Sequence, residues 1–384
     1  MGEAYIIDAV RTPVGRRGGG LAGIHSADLG AHVLSELMHR TGIDPAAVDD
    51  VVMGCVDAIG PQASDVARTA WLVAGLPESV PGVTIDRQCG SSQQAVQFAA
   101  QATASGYSDL VVAAGLQSMS NIPMSASRVA AKDFGFDDPF TSSPGWRARY
   151  GSDAVSQFSS AEAIAKRWGI EREEMEEFAL ASHDKALAAM DAGSFDAEIV
   201  PVGDFGADEC PRRGSSLERL AKLPTLVPDG RLTAGTSSQI SDGAAAILVA
   251  SERAVEEHGL VPRARIVHAS CVGDDPVLML TAPIPATRRA LDRSGLRVDD
   301  IDVYECNEAF APVVIAWQRD TGVDPARVNV NGGAIALGHP IGATGARIMT
   351  SMLHELERRR GRYALQTMCE GGGQANVTII ERLG

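Results

Sequence analysis

Val83-Thr84-Ile85-Asp86-Arg87-Gln88-Cys89-Gly90-Ser91-Ser92 is the stretch on which the reading of this chain turns, because a short apolar run breaks there and small residues take over. The run that follows, Gln93-Gln94-Ala95-Val96-Gln97-Phe98-Ala99-Ala100, favours helix, with neither Pro nor Gly until Gly106. A thiol at Cys89 then sits where a strand passes into a helix, near unpaired amide N–H groups and the positive end of the helix dipole. Such a setting lowers a cysteine pKa and favours the thiolate. Ala and Ser along the helix also imply that other backbone packs closely on it, as on a central element. Taken alone, a cysteine here reads as a buried structural thiol, so the choice rests on what surrounds it in the chain.

Outward from that stretch, β-branched segments alternate with helical ones: Val51 to Val56, Val83 to Ile85, and Leu110 to Ala114. Continuous apolar strands separated by helices predict a parallel or mixed sheet covered on both faces, an α/β fold. From about Gln117 to Ser241 the texture changes to loops such as Thr141-Ser142-Ser143-Pro144-Gly145, with one helical region from Ala161 to Met190. Glu171, Glu173 and Glu174 crowd the start of its second part and Gly193 follows its end, which suits a charged surface helix. This segment reads as an excursion, and Ala244 to Ala250 supplies the strand that returns to the sheet. From Arg265 the first pattern begins again, with strands at Ile266–Cys271, Ile301–Tyr304, Val328–Val330, Tyr363–Cys369 and Ala375–Glu381 and helices at Ala286–Ser294 and Ala343–Arg359. The matching order of elements in the two halves predicts a duplicated βαβ unit.

Composition narrows the function classes. The 384 residues suffice for two or three domains, and 45% hydrophobic with 22% charged residues is ordinary for a globular protein. A net charge of −15 argues against a nucleic-acid partner, since a phosphate footprint needs a basic surface. No apolar run approaches the roughly 20 residues that span a bilayer, and the chain opens on the strand-like Ala4 to Val10, so the expected location is cytoplasmic. The six cysteines show no C-x-x-C spacing, which suits neither a disulfide framework nor zinc, and no metal is expected.

Three further segments are costly in ordinary folding terms. Glu305-Cys306-Asn307-Glu308-Ala309-Phe310-Ala311 places an amide at a strand-to-helix junction, where it serves equally as a helix cap. Asn331 to Gly345 (NGGAIALGHPIGATG) is glycine-rich, which allows close backbone approach, and holds His339 between Gly338 and Pro340. Cys369-Glu370-Gly371-Gly372-Gly373-Gln374 puts a second thiol at a strand end beside amides that can form an anion nest. Gly338, Gly342 and Gly345 do not have G-x-G-x-x-G spacing and no Gly-Lys-Ser/Thr follows, so a phosphate loop is disfavoured. Cys, His, Asn and a glycine nest suit acyl transfer through a thioester, which needs an ionisable thiol, a base and donors for an oxyanion.

On these motifs the chain resembles the thiolases, the 3-ketoacyl-CoA thiolases and acetyl-CoA acetyltransferases, over essentially its whole length. The resemblance rests on Cys89-Gly90-Ser91-Ser92 with Gln93-Gln94-Ala95, on Asn307 to Ala311, on Asn331 to Gly345, and on Cys369 with its three glycines. It implies a five-layered αβαβα duplicated fold with an inserted loop domain. The expected division is an N-terminal half at 1–116 completed by 242–263, a coenzyme A-binding loop domain at 117–241, and a C-terminal half at 264–384. It further implies that Cys89 carries the acyl group, that His339 deprotonates it, and that Cys369 exchanges a proton with C2 of acetyl-CoA. One oxyanion site would combine His339 with a water held by Asn307, the other the backbone N–H groups of Cys89 and Gly371. Arg212 is nominated for the adenine-nucleotide end of coenzyme A and Ser238 for the pantetheine, although an exposed arginine is as readily a solvated surface residue.

The resemblance implies no permanently bound cofactor, coenzyme A as co-substrate, and a homodimer or homotetramer. A disulfide between Cys89 and Cys369 would be a redox inactivation. Departures from the family pattern are Ser156-Gln157-Phe158 before the loop-domain helix, Gln117 where Glu is common, Ser241 where Asn is usual, and Glu370 where a small or apolar residue is usual. The Cys89, Ser238 and Cys369 segments look most like the thiolases of steroid and branched-acid degradation. The expected activity is cleavage of a bulky or carboxylated 3-ketoacyl-CoA to acetyl-CoA or propionyl-CoA and a shortened acyl-CoA, with Trp146, Arg147 and Arg149 meeting the tail. Alternatives are an acetoacetyl-CoA-forming acetyltransferase, a ketoacyl synthase-like condensing enzyme, which would call for two histidines, and a non-catalytic acyl-CoA-binding scaffold.

Overall fold

The computed structural model describes residues 2–153 and 155–384. Its strands are β1 (Ala4–Arg11), β2 (Gly15–Arg16), β3 (Asp50–Gly54), β4 (Gly82–Ile85), β5 (Leu110–Ser118), β6 (Ser241–Ser251), β7 (Ala264–Gly273), β8 (Val303–Cys306), β9 (Tyr363–Glu370) and β10 (Gln374–Arg382). They run in the order β4-β3-β5-β6-β1-β7-β10-β9-β8, with β2 paired to β6. Two stretches of that order repeat one pattern. β3 is parallel to β5, while β5–β6 and β6–β1 are antiparallel. Likewise β8 is parallel to β9, while β9–β10 and β10–β7 are antiparallel. Among the described residues the two runs pair through Tyr5↔Arg265 and Ile6↔Ala264.

Side-chain alternation along the strands sorts the helices into layers. On β5, Leu110, Val112, Ala114 and Leu116 face a core shared with helices Ser26–Thr41 and Val66–Val73. Val111 and Ala113, on the other face, join helices Ser91–Ser105 and Thr344–Arg358. In the second run, Leu365, Val377 and Ile379 pack on helices Pro283–Ser294 and Ala311–Thr321, while Ala364 and Ile380 return to the shared inner layer. The result is helix, sheet, helix, sheet, helix. Strands buried on both faces have no polar side, which is why they read as unbroken apolar runs.

The inner layer is close-packed because glycines admit it. A Cβ on Gly54 would lie 2.6 Å from Ser91 C, and one on Gly345 would lie 2.8 Å from Gln93 Cβ. Between β5 and β6 the chain leaves the sheet and forms helices Gln157–Arg167 and Arg172–Asp191. Apolar residues of these helices share a core with Val313 and Ile315 of Ala311–Thr321. The single helical region expected from Ala161 to Met190 is divided near Gly169, whose φ of 60° stops the first helix. The strand expected at Val328–Val330 is reduced to a bridge, Tyr304↔Val328. Asn329 turns the backbone at φ 44° and spends its amide on both backbone groups of Cys306, at 2.9 Å each.

Arg11 ties the excursion to β1. Its guanidinium meets Glu198 at 2.6 Å and Asp208 at 2.8 and 2.9 Å, all three side chains buried. Burial opposes the Arg11 charge, and Asp208 and Glu198 more than restore it. No helix among the described residues is long and apolar enough to cross a membrane.

Candidate active site

Cys89 sits on a tight turn between β4 and helix Ser91–Ser105, with Gly90 as the helix N-cap. The turn is strained and pinned: Gln88 has φ 50°, its N–H donates to Asp86 Oδ1 at 2.7 Å, and Ser91 Oγ donates to Gln88 O at 2.6 Å while accepting from Arg87 N at 2.9 Å. The thiol is not the low-pKa group expected at a helix start. Burial pushes it up to about 12, and the Glu370 carboxyl adds in the same direction. The backbone N–H groups of Cys89 and Gly371 oppose this by bonding the sulfur, without cancelling it. The resting thiol is therefore protonated and needs a base.

His339 lies in the loop between helices Ala334–Leu337 and Thr344–Arg358, with Gly338 at φ 93° turning the chain into it. Its backbone N–H donates to Gln239 O at 2.9 Å. The ring nitrogen Nδ1 is 2.7 Å from Thr344 Oγ1. Thr344 has one hydroxyl proton and places it on Pro340 O at 2.8 Å, so Nδ1 carries the ring proton and Nε2 the lone pair. Nε2 is buried without a protein partner. Burial holds the imidazole down to about 3, with Arg347 adding to the effect, so it is neutral at rest.

Cys369 is the penultimate residue of β9 and is 1% exposed. Burial raises its pKa well above the usual thiol value, and Cys89 and Glu370 follow as causes, which puts the two sulfurs within electrostatic reach of each other. Both are free thiols. Asn307 follows β8, donates its backbone N–H to Thr367 O at 3.1 Å, and leaves both side-chain atoms buried without a partner. Glu308, next to it, is a buried anchor. It accepts from Ser182 Oγ at 2.7 Å, from Asn329 Nδ2 at 2.9 Å and from Ile335 N at 3.2 Å, joining the inserted segment to the histidine loop.

Cys89 and His339 open onto a cavity of about 690 Å³ that Arg212 and Ser238 also line. Cys369 lies outside its lining, in a core with Ala309, Phe310 and Ile335. Met119, Met124, Phe158, Phe310 and Ile341 give the cavity an apolar wall, and Arg16 and Arg17 join Arg212 in the lining. A smaller adjoining cavity of about 330 Å³ gathers Arg212, Arg213, Arg219 and His183. Arg212 Nη2 donates to Gln239 Oε1 at 3.1 Å. Trp146, Arg147 and Arg149 line neither cavity. Trp146 stacks on Phe140 and Tyr150, Arg147 donates to Thr141 O and Ser142 O, and Arg149 covers Tyr150, so local packing consumes them.

The departures from the family pattern also separate. Gln157 lines the large cavity. Gln117 instead clamps the histidine loop to the chain after β3: its Oε1 accepts from Val56 N at 3.0 Å and Gly342 N at 3.1 Å, and its Nε2 donates to Val56 O at 2.8 Å. A carboxylate could not make that third bond. Ser241 Oγ lies under Gly338, 2.7 Å from where a Cβ would be. Thr344 and Glu308 belong to stretches quoted for their motifs, yet nothing in one dimension marks them as the residues that orient His339 and hold its loop. Among the described residues no cluster of His, Cys, Asp and Glu is arranged to hold a metal ion.

Residues 4–253 match the family model "Thiolase, N-terminal domain" and residues 260–382 match "Thiolase, C-terminal domain". The chain is 62% identical to a steroid 3-ketoacyl-CoA thiolase of Mycobacterium tuberculosis, over 100% of this chain and 95% of that protein. It is 44% identical to a beta-ketoadipyl-CoA thiolase of Acinetobacter baylyi over 100% of both. The crystal structure of a Bacillus anthracis acetyl-CoA acetyltransferase superposes with a TM-score of 0.90 at 38% identity, covering 100% of this chain and 99% of that one.

Proposed function

The chain belongs to the thiolase family, and from that premise we propose that it is an acyltransferase cleaving a bulky or carboxylated 3-ketoacyl-CoA with coenzyme A, in steroid degradation. The observation that carries this reading is the meeting of a protonated Cys89 thiol and a bare His339 Nε2 on one cavity with an apolar wall. The relatives named for steroid and beta-ketoadipyl thioesters support the choice of substrate. The location proposed is cytoplasmic.

His339 Nε2 takes the Cys89 proton as sulfur attacks the 3-keto carbon. The oxyanion forms against the N–H groups of Cys89 and Gly371, which already face the sulfur. The C2–C3 bond breaks and the electron pair leaves on the acetyl-CoA enolate. Its oxygen is held by the protonated His339 and a water on Asn307, whose amide has both atoms free for one. Cys369 gives its proton to C2. The Cys369 thiolate then takes the proton of the coenzyme A thiol, whose sulfur attacks acyl-Cys89 and carries off the shortened acyl group, and His339 returns its proton to the departing Cys89 sulfur. These donors act on charge that appears only in transition states. Arg212 takes the phosphate-bearing end of coenzyme A and Ser238 the pantetheine. The protein binds acyl-CoA and coenzyme A as substrates and holds no permanent cofactor.

Self-association fits edge strand β4, which presents Val83 at 42% exposure, and Phe98 of the next helix is 41% exposed; the assembly proposed is a homodimer or homotetramer. Residues 117–241 act as the coenzyme A-binding loop domain, set between halves at 1–116 with 242–263 and at 264–384. The deciding experiment is a thiolysis assay with free coenzyme A across 3-ketoacyl thioesters of increasing size, with and without a terminal carboxylate. Faster cleavage of the larger thioesters supports the proposal, and preference for acetoacetyl-CoA over every larger one ends it.

A further inference from the structure

Glu370 stands where β9 ends, and no proton step above uses it. Its side chain is fully buried and reaches back beneath the nucleophile turn. A Cβ on Gly90 would overlap Glu370 Oε1 and lie 2.6 Å from Asn376 Oδ1, so both oxygens crowd the residue that follows Cys89. Glu370 Oε1 accepts from Asn376 N at 3.1 Å. Glu370 Oε2 and Asn376 Oδ1 are each buried without a partner. The Asn376 amide is oriented by its nitrogen, which donates to Gln94 Oε1 at 3.1 Å and Cys271 Sγ at 3.2 Å and leaves its oxygen on the other side. Glu370 Oε1 and Cδ lie around the same Gly90 Cβ position as Asn376 Oδ1, so the carboxyl and the amide oxygen are neighbours shut away from water, and one carboxyl proton between them satisfies both.

We infer that Glu370 is a positioning residue that works as a neutral acid: its carboxyl proton bonds Asn376 Oδ1, props the Gly90 turn, and keeps negative charge from the space behind Cys89 and Cys369. This rests on the reading of Cys89 as the nucleophile. Burial pushes the Glu370 carboxyl up to about 8 against the pull of Arg87, which keeps the proton in place at neutral pH. Arg87, held by Gln374 Oε1 at 2.8 Å, is the cation facing it. The other titratable groups facing it are the thiols of Cys89, Cys369 and Cys271, each of which its charge would raise. Asp86 acts on Cys89 from the solvent side of the turn in the same direction. Above pH 8 the carboxyl proton passes to solvent, a carboxylate appears behind the nucleophile, and the Cys89 thiolate becomes harder to form. Gln at this position donates the same hydrogen bond and never ionises.

The test follows alkylation of the Cys89-bearing peptide by iodoacetamide, read by mass spectrometry, in the parent and in Glu370→Gln. In the parent the rate should climb with pH and then flatten above about pH 8. In Glu370→Gln it should match the parent near pH 6.5 and run about tenfold faster near pH 9.5, the factor that one unit of thiol pKa carries. Superposed profiles, or a uniform loss at every pH, overturn the inference. Should the variant not fold, the parent profile decides, because a climb without a break through pH 8 overturns it equally. Alkylated Cys89 that still supports thiolysis would remove the nucleophile assignment and leave the pH profile, and the role of Glu370, standing.

Discussion

His339 Nδ1 lies 2.7 Å from Thr344 Oγ1, and because that hydroxyl is already committed to Pro340 O, the pair fixes which imidazole nitrogen can accept a proton. The residue that chooses the tautomer is thus the first of the helix that follows the histidine loop. Thr344→Val keeps the shape and removes the acceptor. It should lower kcat for thiolysis by about 100-fold, the low end of what a positioned base contributes, with little change in KM. Thr344→Ser should restore most of it. Equal kcat in Thr344→Val and parent would show that the tautomer is set elsewhere.

The acid limb of the rate profile should be displaced. His339 is held down to about 3, so it gains a proton only far below the ordinary histidine range. Between about pH 5 and 7.5 it stays neutral and able to accept, and kcat/KM should be flat. A fall in kcat/KM centred near pH 6.5 would mean that the imidazole is solvated.

Cys89 and Cys369 should separate by half-reaction. Cys369→Ala should lower deuterium exchange at C2 of acetyl-CoA by about 10²- to 10⁴-fold while Cys89 still takes up an acetyl group. Cys89→Ala should accumulate no acyl-enzyme by mass spectrometry. Retained C2 exchange in Cys369→Ala would move the carbon acid–base role to another group.

Arg212 bears on binding. Arg212→Ala should raise KM for coenzyme A about tenfold, as loss of one charged hydrogen bond does, and leave kcat near the parent value. An unchanged KM would return Arg212 to the solvated surface.

The Arg11 cluster bears on stability. Asp208→Ala leaves a guanidinium buried with half its partners, and should cost about 3–5 kcal/mol in urea unfolding. Replacing a surface carboxylate such as Glu218, paired with Lys222 in solvent, should cost under about 1 kcal/mol. Equal losses would place Asp208 outside the core.

The local chemistry of this chain was open to reading from its residues alone. Apolar strand runs, the small-residue helix after Cys89 and the glycine loops around His339 and Cys369 are short-range patterns, and each reports a backbone geometry or a packing distance that a few adjacent residues dictate. The repeat of element order likewise anticipated two runs of identical strand pairing. Proton affinity was another matter. The helix start beside Cys89 argues for a thiolate, whereas burial against segments brought from the far end of the chain holds the thiol protonated. Likewise Trp146, Arg147 and Arg149 offer cationic and aromatic groups in the right segment, and only their packing against Phe140, Thr141 and Tyr150 turns them away from the cavity. Desolvation and coulombic coupling depend on what distant segments bring within a few ångströms, so the residue types were set by the sequence and their charge states by the fold.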